Sequence, residues 1–319
     1  MLKQLLVTVT AVAMFAACAS DPEPTDPAPE PSPETLAPES PPATIVAERG
    51  GFIPEGVEYD MSNGRILTGS LSEGSVFELH NDGRLTTVIS DPDLVSSVGI
   101  EVDEVRDRLV VANSDLSVFQ SGGAGHAKLG VYNLTTGERI AMVDLAASVE
   151  DPGDDAEFFA NDATVGDDGT IYVTDTRMGL LYAVDGDYES SVLHRFDGFA
   201  PNGIVHHAAG YLLVAGGASL WKVPLDDPSG ATEVALPEEI PGQDGMVWTT
   251  DGRLAIVSNS GNRVVALTSA DGWATAHVAG VGPYETQATT AAVVGDDIYV
   301  VHPHFADDDP PSVSRVTFQ

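Results

Sequence analysis

Four short runs along the chain set oxygen-bearing side chains beside a small residue: Pro54-Glu55-Gly56, Asn161-Asp162-Ala163, Pro201-Asn202-Gly203 and Gln243-Asp244-Gly245. Brought together, Glu55, Asn161, Asn202 and Asp244 offer two carboxylates and two amides. Carboxylates crowded into one small space repel and take up protons unless a cation balances them. Every donor is an oxygen, with no Cys or His in register, which selects a hard divalent ion such as Ca²⁺ over Zn²⁺. Four side chains fall short of the roughly 6 to 8 oxygens that Ca²⁺ takes, so positions remain for water or a substrate. Any one of these runs is ordinary turn text. Their recurrence in register gives them meaning.

The elements that must position these residues follow from internal repetition. Six segments share a small residue, an apolar run, a polar turn and a second apolar run, among them PNGIVHHAAGYLLVAGG from Pro201 and QDGMVWTTDGRLAIVSNSG from Gln243. With Gly56, Gly99, Ala163, Gly203, Gly245 and about Thr289 as anchors, successive gaps are 43, 64, 40, 42 and 44 residues. Blades of four strands need about that much chain. Asp82-Gly83, Asp168-Gly169 and Asp251-Gly252 supply tight hairpin turns. The expected fold is all-β, a six-bladed β-propeller over residues 48–319, in which the innermost strands surround an axis and equivalent positions of successive repeats become neighbours. The long second gap predicts a rim loop within 116–158, either a lid or a surface insertion.

In such a fold the second strand of each hairpin returns to the face where the first begins. Its end therefore rims the same site, which nominates Asn113 to Asp115, Asp175, Asn259, His302 and His304, with Asp162 beside Asn161. His302 and His304 titrate near neutral pH and offer a base, against the plainer alternative of a loop histidine with no role. Asp175 has the alternative of capping a turn, and His206 and His207, mid-strand, read as structural.

These four motifs, in this order on these repeats, resemble the senescence marker protein, gluconolactonase and regucalcin family over residues 51–319, with a more distant likeness to Ca²⁺-dependent phosphotriesterase and paraoxonase propellers. The resemblance implies that Glu55, Asn161, Asn202 and Asp244 of the Asp244-Gly245-Met246 run hold a catalytic metal, the second Asn in some members mainly touching substrate, and it makes Asp244 the candidate catalytic general base or nucleophile. It also implies an Arg two residues before the first Asn, where sugar acids bind. This chain has Phe159 there, which offers apolar contact and points to a less polar ester or lactone.

The remaining sequence bounds the setting. Residues 1–17 read as a lipoprotein signal peptide, and Phe15-Ala16-Ala17-Cys18 as a lipobox whose Cys, the only one in the chain, carries the lipid. Residues 18–47 are rich in Pro and acidic residues and read as a disordered tether. At about 3.1 Å per residue, some 22 residues of it reach roughly 70 Å. The expected location is the cell envelope, outside the cytoplasm and lipid-anchored to a membrane, and the expected state is a monomer. A formal net charge of −35 with 14 Lys and Arg excludes nucleic-acid binding. That charge fits a solubilising surface or adaptation to high salt. Two functional readings stand: an exported metal-dependent hydrolase of a small-molecule lactone, ester or phosphoester, and a noncatalytic, metal-stabilised propeller that binds a ligand or protein.

Overall fold

The computed structural model describes residues 41–120, 122–305 and 309–319. The expected leader, Cys18 and most of the tether lie outside the described residues. The fold is all-β and propeller-like, and its strands run as four-stranded antiparallel meanders. Successive meanders begin with the strands Val57–Asp60, Ser96–Asp103, Phe158–Val165, Ile204–His207, Gln243–Trp248 and Ala291–Val294. Each of these first strands packs on the first strand of the next meander, and Ala291–Val294 packs back on Val57–Asp60, closing a ring. Four meanders are separate sheets; the other two share one sheet, through a parallel pairing of Phe158 with Gly125 and Phe159 with His126.

Burial follows position within a meander. The second strands Arg108–Ser114, Ile171–Asp175, Tyr211–Gly216 and Leu254–Ser258 are buried at every residue. Covered on both faces, they read in sequence as continuous apolar runs instead of alternating ones. The outermost strand Leu85–Ser90 meets solvent and turns polar. Apolar side chains gather in six clusters, each shared by two neighbouring meanders: Leu213 and Leu220 meet Ile256 and Val265 in one, Leu67 and Val76 meet Ile100 and Leu109 in another. At about 1.5 to 3 kcal/mol for each fully buried large aliphatic side chain, this packing between sheets stabilises the ring.

Two expectations change. The tether was expected to run to residue 47, yet Thr44–Val46 is a strand pairing with Ser312–Ser314 as the outermost strand of the last meander, and Ile45 is buried. The first strand among the described residues thus completes the last meander. Within 116–158 a loop was expected. Instead the chain makes the one-turn helix Ser117–Gln120, the long strand Gly125–Asn133 and the strand Arg139–Asp144 before an acidic stretch at 150–157. Much of the extra length is thus spent on extending a meander.

Candidate functional site

The repeat anchors are small because the first strands meet backbone to backbone. Gly56 N–H donates to Val98 O at 3.1 Å, and Gly245 N–H to Thr289 O at 2.9 Å. A Cβ on Gly99 would collide with Asp162 Oδ1, and one on Gly245 with the Thr290 side chain. At this end of the ring the ladder to the second strand is interrupted between Ser97 and Ile100, Ala160 and Ala163, and Gln243 and Met246. Irregularities of this kind free residues from pairing and re-aim them, and Asn161, Asp162 and Asp244 occupy these stretches.

A chain of short links ties the candidates round the axis. Asn161 Nδ2 donates to Thr176 Oγ1 at 2.8 Å, and that hydroxyl donates to Pro201 O at 2.7 Å. Asp162 N–H donates to Thr174 Oγ1 at 3.0 Å, which donates to Asn202 O at 2.6 Å. Gly203 lies against the backbone of Asp244. Thr289 Oγ1 donates to Glu55 O at 2.7 Å, while the Thr289 carbonyl takes the Gly245 amide. The four residues, far apart in the chain, are held near one another by backbone contacts of the innermost strands.

Their carboxylates share one electrostatic environment. Burial pushes Asp244 up to about 7; a hydrogen bond from Asn259 opposes this, the Asp162 charge adds to it, and a hydrogen bond from Asn202 opposes it again. Burial raises Glu55 well above the usual carboxylate range, then the charges of Asp244 and Asp162 raise it further. Burial also lifts Asp162 to about 7, against amide hydrogen bonds from Ala163 and Ile204.

Two buried side-chain oxygens here have no hydrogen-bond partner: Asn161 Oδ1 and Asp244 Oδ1. The other atom of each group is anchored, Asn161 Nδ2 on Thr176 and Asp244 Oδ2 by Asn259 Nδ2 at 3.0 Å. An unsatisfied buried acceptor costs about 1 to 3 kcal/mol, a cost that a cation or a donor at that oxygen would remove. Among the described residues no three His, Cys, Asp or Glu side chains come together as metal ligands.

The rim residues separate. Asn259 joins the site, holding Asp244 while its own Oδ1 accepts from Gln287 Nε2. Asp175 does not line a pocket: it is fully buried, and its Oδ1 accepts from the amides of Phe159, Arg177 and Met178 while its Oδ2 accepts from Tyr182 Oη. His302 is likewise engaged inside the sheet, with Nδ1 2.8 Å from Thr286 O and Nε2 2.7 Å from Ser314 Oγ, and burial lowers its pKa. It is not the free base that its position suggested. His304 follows, half-buried, with a left-handed backbone. Asn113 clamps the preceding loop through Val95 N–H and Asp93 O. Phe159 is buried, its ring met edge-on at 4.8 Å by Phe119, which is 53% exposed and has the Arg177 guanidinium over its other side at 5.5 Å. The apolar contact expected of Phe159 is thus presented to solvent by Phe119.

Sequence reasoning missed Gln243, whose buried amide has no partner at either atom and directly precedes Asp244. It also missed Glu58 and Glu101, further along the first two innermost strands. Burial and then the Glu101 charge raise Glu58; burial and then Asp162 raise Glu101 to about 8. The signal was there, since each lies two residues beyond its repeat glycine, Gly56 or Gly99.

A family model for the SMP-30/gluconolactonase/LRE-like region matches residues 53–301. Among curated proteins, none matches the chain. Solved structures that resemble it include a calcium-binding protein, regucalcin, from Agrobacterium tumefaciens (19% identity, 87% of this chain and 95% of that one, TM-score 0.62). A gluconolactonase from Xanthomonas campestris aligns at 15% identity over 86% of this chain and 89% of that one, TM-score 0.59. Virginiamycin B lyase from Staphylococcus aureus aligns at 15% identity over 81% and 80%, TM-score 0.57. At such identities the likeness carries the fold alone, and the last of the three is named for a different chemistry.

Proposed function

The chain belongs to the SMP-30/gluconolactonase/LRE-like family, and from that premise we propose that it is a metal-dependent hydrolase of a small lactone or related ester, built on six meanders that act as six propeller blades. The observation that carries this reading is the pair of orphaned buried oxygens, Asn161 Oδ1 and Asp244 Oδ1, on two of the four expected ligands. Glu55, Asn161, Asn202 and Asp244 would hold a hard divalent cation, Ca²⁺ by the chemistry of the donors. When bound, the ion polarises the substrate carbonyl and lowers the pKa of a water.

The chain's own residues do the rest. Asp244 takes the proton from the attacking water as general base; Asn259, itself fixed by Gln287, orients its Oδ2. Thr176 and Thr174 hold Asn161 and the Asn202 backbone in place across neighbouring strands. Phe119, seated on Phe159, gives the substrate side an apolar wall where sugar-acid enzymes place a charge, which favours aryl or acyl lactones over sugar lactones. The same reading has the protein exported and held at a membrane as a monomer through lipid on Cys18, on the strength of the leader and lipobox.

The test uses purified protein, elemental analysis and a panel of aryl esters and lactones. One bound divalent ion and turnover abolished by chelation and by Asp244→Asn are expected. Stoichiometric ion without turnover across the panel would leave a noncatalytic metal-stabilised binding propeller in its place.

A further inference from the structure

The innermost strands run from the candidate metal site to hairpins on the opposite face, where a cleft of about 590 Å³ opens. Its lining joins two kinds of surface. Glu58 and Glu101 enter it from the first two meanders, beside Thr164. Opposite stand Trp248, His206 and His207. No lysine or arginine lines the cleft. Neither carboxylate has a cation among the groups that act on it; Glu58 takes only the adjacent Tyr59 amide, and Glu101 takes the Val165 amide and the Thr164 hydroxyl.

The aromatic wall is rigid. Trp248 Nε1 donates to His206 O at 2.8 Å, which fixes the indole. His207 meets Trp248 edge-on at 5.3 Å and stacks on Tyr211 at 4.4 Å, and Trp273 supports the indole from 5.7 Å. His206 lies parallel to Tyr172 at 6.4 Å. Half-buried carboxylates across a cleft from aromatic rings attract a cation by charge and by the ring quadrupole together. A bare metal ion fits poorly, because the cavity is far larger than one ion. The strongly negative chain adds a field that concentrates cations at such a mouth.

We propose that this far-face cleft is a second binding site, separate from the hydrolytic centre, for a small organic ammonium ion, its charge between Glu58 and Glu101 and its apolar part against Trp248. The assignment rests on the cleft alone and does not depend on the hydrolase reading.

The experiment is titration of the whole protein with benzylammonium, with benzyl alcohol as the neutral analogue of the same size, read by calorimetry and tryptophan fluorescence. Binding of benzylammonium is expected, at least roughly tenfold tighter than benzyl alcohol, since a single favourable charge contact of this kind is worth about a decade. Glu101→Gln should weaken it by roughly tenfold, Trp248→Phe by less because a ring remains, and Asp244→Asn should leave it unchanged. Thermal melts of each variant distinguish a lost site from a lost fold. Equal binding of the neutral analogue, indifference to Glu101→Gln, no detectable binding of benzylammonium, or displacement by calcium at stoichiometric amounts would each overturn the proposal.

Discussion

The two ends of the central axis are built from the same material and resolve the same problem differently. At both, buried or half-buried carboxylates on innermost strands are raised by burial and then by neighbouring carboxylate charge. At the ligand-face end they lie with Asn161, whose Nδ2 is tied to Thr176, and Asn161 Oδ1 and Asp244 Oδ1 are left without partners. At the far end the pair Glu58 and Glu101 faces a roomy cleft walled by aromatic rings. Desolvated negative charge alone therefore does not define a metal site. At the ligand-face end Asn161 adds an amide oxygen without a partner, whereas the lining of the far cleft contributes no amide side chain.

The largest effect that separates the two ends is catalytic. Asp244→Asn removes the proposed base and one ligand charge while keeping the shape, and should cut kcat/KM for the best lactone by about 10³-fold or more. Glu101→Gln, at the far end, should leave it within about threefold. Steady-state kinetics of both variants with equal metal loading checks this, and comparable losses in the two would mean that the axis works as one unit.

Metal removal comes next, with a pH dependence whose sign follows from the raised carboxylates. A carboxyl whose folded pKa exceeds its unfolded value favours folding at pH below the unfolded value, near 4, and that contribution is lost as pH rises through the folded one. For Asp162 and Asp244 at about 7 and Glu101 at about 8, the metal-free protein should therefore lose stability between about pH 4 and 8. Added Ca²⁺ should restore it most at the alkaline end, since protons compete for the ligands as pH falls. At about 100 times Kd the ion contributes about 2.7 kcal/mol, a rise of roughly 5 to 10 °C in Tm. Melts at pH 5 and 8 with and without chelator measure it, and Glu101→Gln should flatten the metal-free slope. A slope of the opposite sign would mean that these carboxylates stay ionised without an ion.

How much of this was legible in the chain depends on what each residue answers to. The repeat anchors Gly56, Gly99, Gly203 and Gly245 were legible because the close approach of innermost strands admits no larger side chain, and with them came Glu55, Asn161, Asn202 and Asp244. The end of a strand told where Asp175 and His302 lie, but not that Tyr182 and Ser314 occupy their polar atoms from within their own sheets. Asn259, nominated by the same rule, does reach the axis. Thr44–Val46 escaped notice because three residues after a proline-rich run are too few to show alternation, and the pairing partner is at the other end of the chain. The burial of Phe159 depends on Phe119, forty residues earlier on a one-turn helix, a tertiary contact that no local pattern announces.

That last contact yields the smallest and most discriminating test of the two ends. Each has an aromatic surface, but Trp248 is held by a hydrogen bond and two further rings, whereas Phe119 rests on Phe159 and under Arg177, itself paired with Glu157. If Phe119 forms the apolar wall of the hydrolytic site, Phe119→Ala removes contact area that is the same in ground and transition states, so KM for an aryl lactone should rise about 3- to 10-fold with kcat little changed. A small aliphatic lactone, too short to reach the ring, should show no change. Benzylammonium binding at the far cleft should be untouched, since neither Phe119 nor Phe159 lines it. A fall in kcat for both lactones would instead mean that the helix Ser117–Gln120 supports the Phe159 and Asn161 backbone, and the aromatic pair would then be a strut of the metal site and no part of its specificity.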